Sequence, residues 1–286
     1  MRIGIDSYCY HRFFGEVYPE QQPPQERRTI DDLIATTKRL GGAGLSLETV
    51  FMPSLDRGFL QDLRSKLDEA ALDRVLAWGH PKGLEMGKSA EAVEDLRAHF
   101  PSANILGAQV MRITCASAAF RGQEPVQDQI ARLVPILKEL AAEAGSVGIT
   151  LGMENHGDFI ADEVIELVYK VDSPHFRVTL DTGNFTILQK DPVLECAKLA
   201  PYTVVTHMKD RPATPRGSLP EGQRKWLSIG LGKGVIDLKA ILQSLKDNHY
   251  GGLLCIELTL IPPYTSEDKE LEDSVAYLKR TLPALR

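Results

Sequence analysis

Short apolar runs alternate with longer amphipathic segments along the whole chain. In the amphipathic segments apolar residues recur every three to four positions, as at Ile30, Leu33, Ile34 and Leu40, which is typical of helices packed on a core. The short runs predict eight buried strands, at Arg2–Asp6, Gly44–Glu48, Arg74–Trp78, Gln109–Ile113, Gly148–Met153, Arg177–Asp181, Thr203–His207 and Gly252–Glu257. Strands that alternate with helices in this way indicate βαβ units.

Eight strand–helix pairs in 286 residues, with no Pro/Ser-rich linker, favour one α/β domain over residues 1–286. The predicted fold is a single (β/α)8 TIM barrel, and the alternative is an open α/β sheet with extra elements. Two long proline-containing loops, at about 10–28 and 210–225, follow the first and seventh strands. We expect them at the C-terminal face of the barrel, where active sites lie.

Composition excludes several classes of function. The net charge is −6 and the basic residues are scattered, so no nucleic-acid partner is expected. Asp6 interrupts any signal-peptide apolar run, and no apolar stretch approaches the ~18–20 residues of a membrane span. Four separated cysteines fit reduced thiols, so we expect a cytoplasmic protein without a membrane partner. Phosphate-loop, dinucleotide-binding and serine-hydrolase motifs are absent from the sequence.

Chemistry-bearing residues stand at the ends of the last four predicted strands. They are Glu154, Asp181, His207 and Glu257. In a barrel the C-terminal strand ends converge over the axis, so we expect these side chains to form one cluster. The alternative is that each acidic residue caps a helix or faces solvent.

Three carboxylates packed together repel one another unless a cation lies among them. Oxygen ligands with one imidazole suit a divalent ion, most often Mn2+ or Mg2+, with Co2+ or Zn2+ as alternatives. An octahedral ion with four protein ligands keeps positions for two substrate oxygens. The sequence therefore predicts one divalent metal ion.

Four local strings resemble the xylose isomerase-like TIM-barrel superfamily of ketose 3-epimerases, inosose isomerases and dehydratases. They are Met153-Glu154-Asn155-His156, Leu180-Asp181-Thr182-Gly183-Asn184, His207-Met208-Lys209-Asp210 and Ile256-Glu257. The resemblance implies that Glu154, Asp181, His207 and Glu257 are the metal ligands, and that the two glutamates are also the acid/base groups. It also implies a dimer or tetramer. The chain has Asn184 where the sugar 3-epimerases tend to carry a histidine.

Further residues near the strand ends are weaker candidates. Asp210 matches the second position of a His-x-x-Asp string, and we expect it to orient His207, with a helix cap or surface ion pair as the alternative. The candidates for substrate contact, each with packing or solvent exposure as the alternative, are His156, His80, Asn184, Lys209, Arg216 and Glu48.

The sequence thus predicts a metal-dependent isomerase or epimerase of a small polyhydroxylated hydroxyketone, such as a ketose or inosose. Glu154 and Glu257 would remove a proton from one face of the enediolate carbon and return it to the other. The first alternative is a lyase that uses the same enediolate, such as an inosose dehydratase or a keto-glycoside cleaving enzyme. The second is a sugar- or metal-binding barrel without turnover.

Overall fold

The eight strands form a closed parallel barrel in which each strand pairs with the next and β8 pairs with β1. The structure, a computed structural model, describes residues 1–213 and 227–286. The strands are β1 (Arg2–Asp6), β2 (Gly44–Glu48), β3 (Asp73–Ala77), β4 (Val110–Ile113), β5 (Thr150–Glu154), β6 (Phe176–Asp181), β7 (Thr203–Met208) and β8 (Leu253–Ile256). The prediction of a TIM barrel is confirmed, and the open-sheet alternative is wrong.

Ten α-helices lie in the described residues. They are α1 (His11–Phe14), α2 (Ile30–Leu40), α3 (Arg57–Glu69), α4 (Ala90–Ala98), α5 (Phe100–Leu106), α6 (Val126–Ser146), α7 (Ala161–Val171), α8 (Pro192–Leu199), α9 (Leu238–Asp247) and α10 (Glu267–Thr281). In these parts of the chain no helix is long and apolar enough to cross a membrane. The predicted loop at 10–28 contains the short α1, and most of the predicted loop at 210–225 lies outside the described residues.

Side-chain and glycine caps set where α2 begins and ends. The Thr29 hydroxyl accepts a hydrogen bond from the Asp32 amide, and the Asp32 carboxylate accepts one from the Thr29 amide, which forms a capping box. Gly41 ends the helix in the left-handed conformation, with φ of 71°. The chain therefore turns directly from α2 into β2.

Small residues occupy the lower interior of the barrel. An added Cβ on Gly4 would lie 3.0 Å from Cys255 Sγ, and one on Gly44 would lie 2.7 Å from Leu253 Cδ1. Cys255 and Leu253 belong to a small apolar cluster with Val75. Because side chains alternate along a strand, Cys255 and Glu257 project to the same side. The apolar cluster therefore forms the floor on which the polar residues at the strand ends rest.

The helices pack on the outside of the barrel through apolar faces. In α9 the residues Leu238, Ile241, Leu242 and Leu245 are buried, whereas Lys239 is exposed. This spacing of three and four positions places all four apolar side chains on one side of the helix. The outer shell therefore contributes a large part of the buried apolar surface.

Replacing Leu242 with alanine removes a fully buried side chain from the contact between α9 and the barrel. We expect Leu242→Ala to lower the free energy of unfolding by about 2–5 kcal/mol, because transfer energy is lost and a cavity remains. Urea denaturation measures the change. Lys239→Ala on the same helix is the control and should stay within about 0.5 kcal/mol of wild type. Equal effects of the two substitutions would contradict the packing described.

Candidate active site

The C-terminal end of the barrel carries a layer of buried ionisable side chains. Seven of the eight strands contribute to it: Asp6, Glu48, Arg112, Glu154, Asp181, His207, and Glu257 directly after β8. Each takes the inward side of its strand, with smaller residues such as Ser46, Thr179 and Val205 two positions earlier. Closure of the barrel brings these seven side chains together.

The structure brings together the four residues predicted to hold a metal. Ligand atoms of Glu154, Asp181, His207 and Glu257 all lie within 4.8 Å of one another. His207 Nδ1 lies 2.5 Å from Glu257 Oε2 and 3.6 Å from Glu154 Oε2. The imidazole therefore stands between the two glutamates.

Asp6 lies against the other ring nitrogen of His207. Asp6 Oδ2 is 3.3 Å from His207 Nε2. A carboxylate at this nitrogen favours a proton on Nε2, so that Nδ1 would be the electron-pair donor toward a bound cation. Asp6, and not Asp210, is therefore the aspartate that lies next to the imidazole of His207.

The prediction for Asp210 is wrong. Its carboxylate accepts hydrogen bonds from the backbone amides of Gly232, Gly234 and Ile236, at 3.0, 2.9 and 3.2 Å, and from its neighbour Arg211. It makes no described contact with His207. Asp210 therefore fixes the backbone at 232–236.

Arg112 lies between two of the buried carboxylates. Its Nε donates to Glu154 Oε2 at 2.5 Å, and its Nη1 lies 3.4 Å from Glu48 Oε1. Burial opposes ionisation of Glu154, but the charges of Arg112 and His207 outweigh it and hold the pKa of Glu154 well below its ordinary value. For Glu48 the balance is reversed, because burial outweighs Arg112 and raises the pKa to about 7.

Lys209 joins two further members of the cluster. Its buried Nζ lies 2.8 Å from Asp181 Oδ2 and 2.8 Å from Glu257 Oε1. Burial disfavours the carboxylate of Glu257, yet Lys209 and His207 lower its pKa to about 2. Burial likewise disfavours the ammonium of Lys209, but Asp181 and Glu257 raise its pKa above the ordinary value.

The cluster has the donor atoms and the charge deficit that a divalent cation needs. Asp181 Oδ2, His207 Nδ1 and Glu257 Oε2 are buried and make no hydrogen bond of good geometry, although charged groups approach them. Of the layer's residues, five are carboxylates, and in the described parts of the chain only Arg112 and Lys209 contact them as permanent cations. The residues present therefore fit a divalent ion.

Asn184, in the segment after β6, supports Glu154. Its Nδ2 donates to Glu154 Oε1 at 3.1 Å, and its Oδ1 accepts a 3.4 Å contact from the buried Arg211. Asn184 is fully buried and is not among the described residues that line the cavity above the cluster. Its side chain contacts Glu154 and Arg211, and its contact with substrate stays a prediction.

A cavity of about 740 Å³ opens directly above the layer. Four of the residues predicted to contact substrate line it, namely His156, His80, Glu48 and Lys209, together with Glu257 and Arg112. His156 Nδ1 lies 3.0 Å from the Ala116 carbonyl oxygen, and His80 stacks on Trp78 with ring centroids 5.0 Å apart. The sixth candidate, Arg216, lies outside the described residues.

The segment after β1 forms one wall of the cavity. Tyr8 donates to Glu16 Oε1 at 3.0 Å and makes a close hydroxyl contact with Tyr18. Phe14 and Phe51 stack beside them with ring centroids 5.4 Å apart. This wall presents two hydroxyls and an aromatic surface, a combination that suits a polyhydroxylated ligand.

A family model described as the xylose isomerase-like TIM barrel matches residues 34–281. The chain belongs to this family. The match covers seven of the eight strands and every residue of the four-residue cluster.

Individual relatives of this xylose isomerase-like barrel are distant. The 3-oxo-isoapionate decarboxylase of Pectobacterium atrosepticum is 27% identical over 170 residues, which span 58% of this chain and 57% of that enzyme. A structure of L-ribulose 3-epimerase superposes with a TM-score of 0.76 at 18% identity, over 99% of this chain and 95% of the other. An IolI protein with a bound zinc atom gives 0.75 at 15% identity, over 100% and 99%. The two structural likenesses show the shared fold.

Reasoning from the sequence missed two residues that contact the four-residue cluster, Asp6 and Arg112. Asp6 ends β1 just as Asp181 ends β6, so the rule that found the cluster applied to it as well. Arg112 is a charged residue inside the short apolar run of β4, and a strand covered on both sides buries such a residue only with partners. Both signals were present in the sequence.

Asp6→Asn tests which carboxylate orients His207 in this xylose isomerase-like barrel. Because the neutral amide supports the imidazole less well, we expect the affinity of the cluster for Mn2+ to fall by about 10–100-fold. Titration calorimetry measures it. Asp210→Asn is the matched control and should weaken the 232–236 backbone contacts while leaving Mn2+ affinity close to wild type. A larger loss of affinity for Asp210→Asn than for Asp6→Asn would restore the assignment made from sequence.

Proposed function

We propose that this protein is a divalent-metal-dependent isomerase or epimerase of a small polyhydroxylated hydroxyketone. The observation that carries the proposal is the placement of two ionised glutamates, Glu154 and Glu257, on either side of His207 Nδ1 at the floor of a polar cavity. Family membership supports a sugar-modifying enzyme, and the epimerase among the structural neighbours has the same fold.

Glu154, Asp181, His207 and Glu257 would hold the ion. A divalent cation there supplies Lewis-acid stabilisation of the negative charge that develops on the carbonyl and neighbouring hydroxyl oxygens of the substrate. Asp181 has one oxygen already fixed, because its Oδ1 accepts hydrogen bonds from the amides of Gly183 and Asn184 at 2.7 and 2.9 Å. Its Oδ2 is the oxygen left for the cation.

Two carboxylates can move a proton between the faces of one substrate carbon. Glu257 lines the cavity directly, and Glu154 contacts Arg112, which lines it as well. Both glutamates have lowered pKa values, so both are carboxylates at neutral pH and either can accept a proton from the carbon. To complete the inversion, the other glutamate takes a proton from solvent and donates it to the opposite face, and the first glutamate then releases its proton to solvent.

The cavity walls would select and orient the substrate. His156, His80 and Glu48 offer polar side chains on one side, and Tyr8 and Tyr18 offer hydroxyls on the other. These groups can donate hydrogen bonds to the hydroxyls of a sugar or cyclitol and accept hydrogen bonds from them. The buried floor keeps bulk water from Glu154, which strengthens the electrostatic interactions among the charged groups.

Decarboxylation of a 3-oxo sugar acid is the second candidate. The curated relative is a 3-oxo-isoapionate decarboxylase, and loss of carbon dioxide from a β-keto acid leaves the same kind of enolate that proton removal does. Two cations, Arg112 and Lys209, line the cavity and could bind the carboxylate of such a substrate. Among the lyase reactions, we favour decarboxylation over dehydration, because the curated relative is a decarboxylase.

Elemental analysis and isotope exchange test the proposal together. We expect the purified protein to hold about one divalent ion per chain after reconstitution with Mn2+. In D2O, with a panel of ketoses and inososes, one substrate should gain deuterium at the carbon beside its carbonyl. Because acid/base groups contribute about 10²–10⁴-fold, Glu154→Gln and Glu257→Gln should lower the exchange rate by that factor. Nuclear magnetic resonance and mass spectrometry follow the exchange.

The control is Glu139→Gln, an exposed glutamate on α6 that should leave exchange unchanged. Product mass separates the two candidates. Retained mass with changed configuration indicates an epimerase or isomerase, and loss of carbon dioxide from a 3-oxo sugar acid indicates the decarboxylase. Absence of a bound divalent ion after reconstitution would contradict both.

A further inference from the structure

The ammonium of Lys209 lies in contact with two of the four residues that would hold the metal. Its Nζ is 2.8 Å from Asp181 Oδ2 and 2.8 Å from Glu257 Oε1, and its side chain is almost fully buried. Asp181 Oδ1 is already engaged by two backbone amides. The oxygen that Lys209 contacts is therefore the one that a metal ion would need.

Two cations in contact with the same carboxylate oxygen repel each other strongly in a buried site. A divalent ion seated among the cluster and the Lys209 ammonium at its present position would share Asp181 Oδ2. The ammonium is the group that can move, because it stands on a flexible four-carbon side chain. The backbone of Lys209 is fixed, since its amide donates to Thr182 Oγ1 and its carbonyl accepts from the same hydroxyl, both at 2.8 Å.

We propose that Lys209 is the resident counter-cation of the metal-free site, and that a divalent ion displaces its ammonium from Asp181 Oδ2 toward the cavity. This inference rests on the metal site of the proposed function. Lys209 lines the cavity, so space for the displaced ammonium lies next to the cluster. From there the ammonium can neutralise negative charge that develops on substrate oxygens.

No other buried cation in the described parts of the chain contacts both Asp181 and Glu257. Arg112 contacts Glu154 and Glu48, and Arg211 Nη1 donates to the Leu227 carbonyl oxygen at 3.1 Å. Among the described residues, Lys209 is the cation that contacts both Asp181 and Glu257. It therefore offsets the repulsion between these carboxylates when no metal is bound.

Lys209→Met keeps the length of the side chain and removes its charge. In the full-length protein stripped with chelator, titration calorimetry should show the Kd for Mn2+ tighten by about tenfold or more, because the competing cation is gone. The melting temperature without metal should fall by about 10 °C, because the carboxylates lose their counter-cation. Added Mn2+ should raise the melting temperature of this variant more than that of wild type.

Lys209→Arg keeps the charge and should stay close to wild type in both measurements. Lys66→Met is the matched control, because Lys66 also contacts two carboxylates, Asp31 and Asp62, but on the exposed surface of α3. It should change neither the Mn2+ affinity nor the gain in melting temperature. If Lys209→Met folds only with Mn2+ present, that result also supports the proposal.

A crystal structure of the Mn2+-loaded wild type gives an independent reading, in which Lys209 Nζ should lie out of contact with Asp181 Oδ2. Unchanged or weaker Mn2+ binding by Lys209→Met, or an ammonium still on Asp181 Oδ2 beside a bound ion, overturns the inference while leaving the metal site intact. A wild-type protein that binds no divalent ion overturns the proposed function itself.

Discussion

The burial of five carboxylates in one layer of the barrel is the constraint on which the rest of the site depends. These carboxylates are buried at the end of a closed sheet, where an unpaired charge costs free energy. They belong to Asp6, Glu48, Glu154, Asp181 and Glu257. The contacts within the site offset this free-energy cost. Arg112 and Lys209 supply charge, backbone and side-chain amides supply hydrogen bonds to Asp181 and Glu154, and the remaining deficit fits a divalent cation.

The cluster is supported by residues from neighbouring strands and from the segments that follow them. Asn184 holds one oxygen of Glu154 while Arg112 holds the other, so the orientation of this glutamate is set from β4 and from the segment after β6. The Asp210 carboxylate accepts hydrogen bonds from backbone amides at 232–236 and fixes that part of the backbone after the seventh strand. The cavity above is built from less regular segments, and its tyrosines and histidines are the part of the molecule in which members of one barrel family can differ.

Most of the fold, and the four residues of the candidate metal site, could be predicted from local sequence pattern. The predicted strands agree with the observed ones to within two residues at each end, because apolar runs bounded by polar residues report strands directly. Glu154, Asp181, His207 and Glu257 could be found because each stands at a strand end, and a parallel barrel places all such ends on one face. Asp210 was misassigned because its spacing from His207 says nothing about the direction of its side chain after the strand has ended.

The sequence by itself determined the order of strands and helices, the barrel, and the residues that meet at its C-terminal end. Those properties depend on short apolar runs and on a helical period of 3.6, both of which are local features of the chain. Only the tertiary structure decided the pairings, such as Asp6 with His207, Arg112 with Glu154, and Lys209 with Asp181 and Glu257. These pairs join different strands across a closed barrel, and the stagger between strands, which no local pattern encodes, sets which charges come into contact.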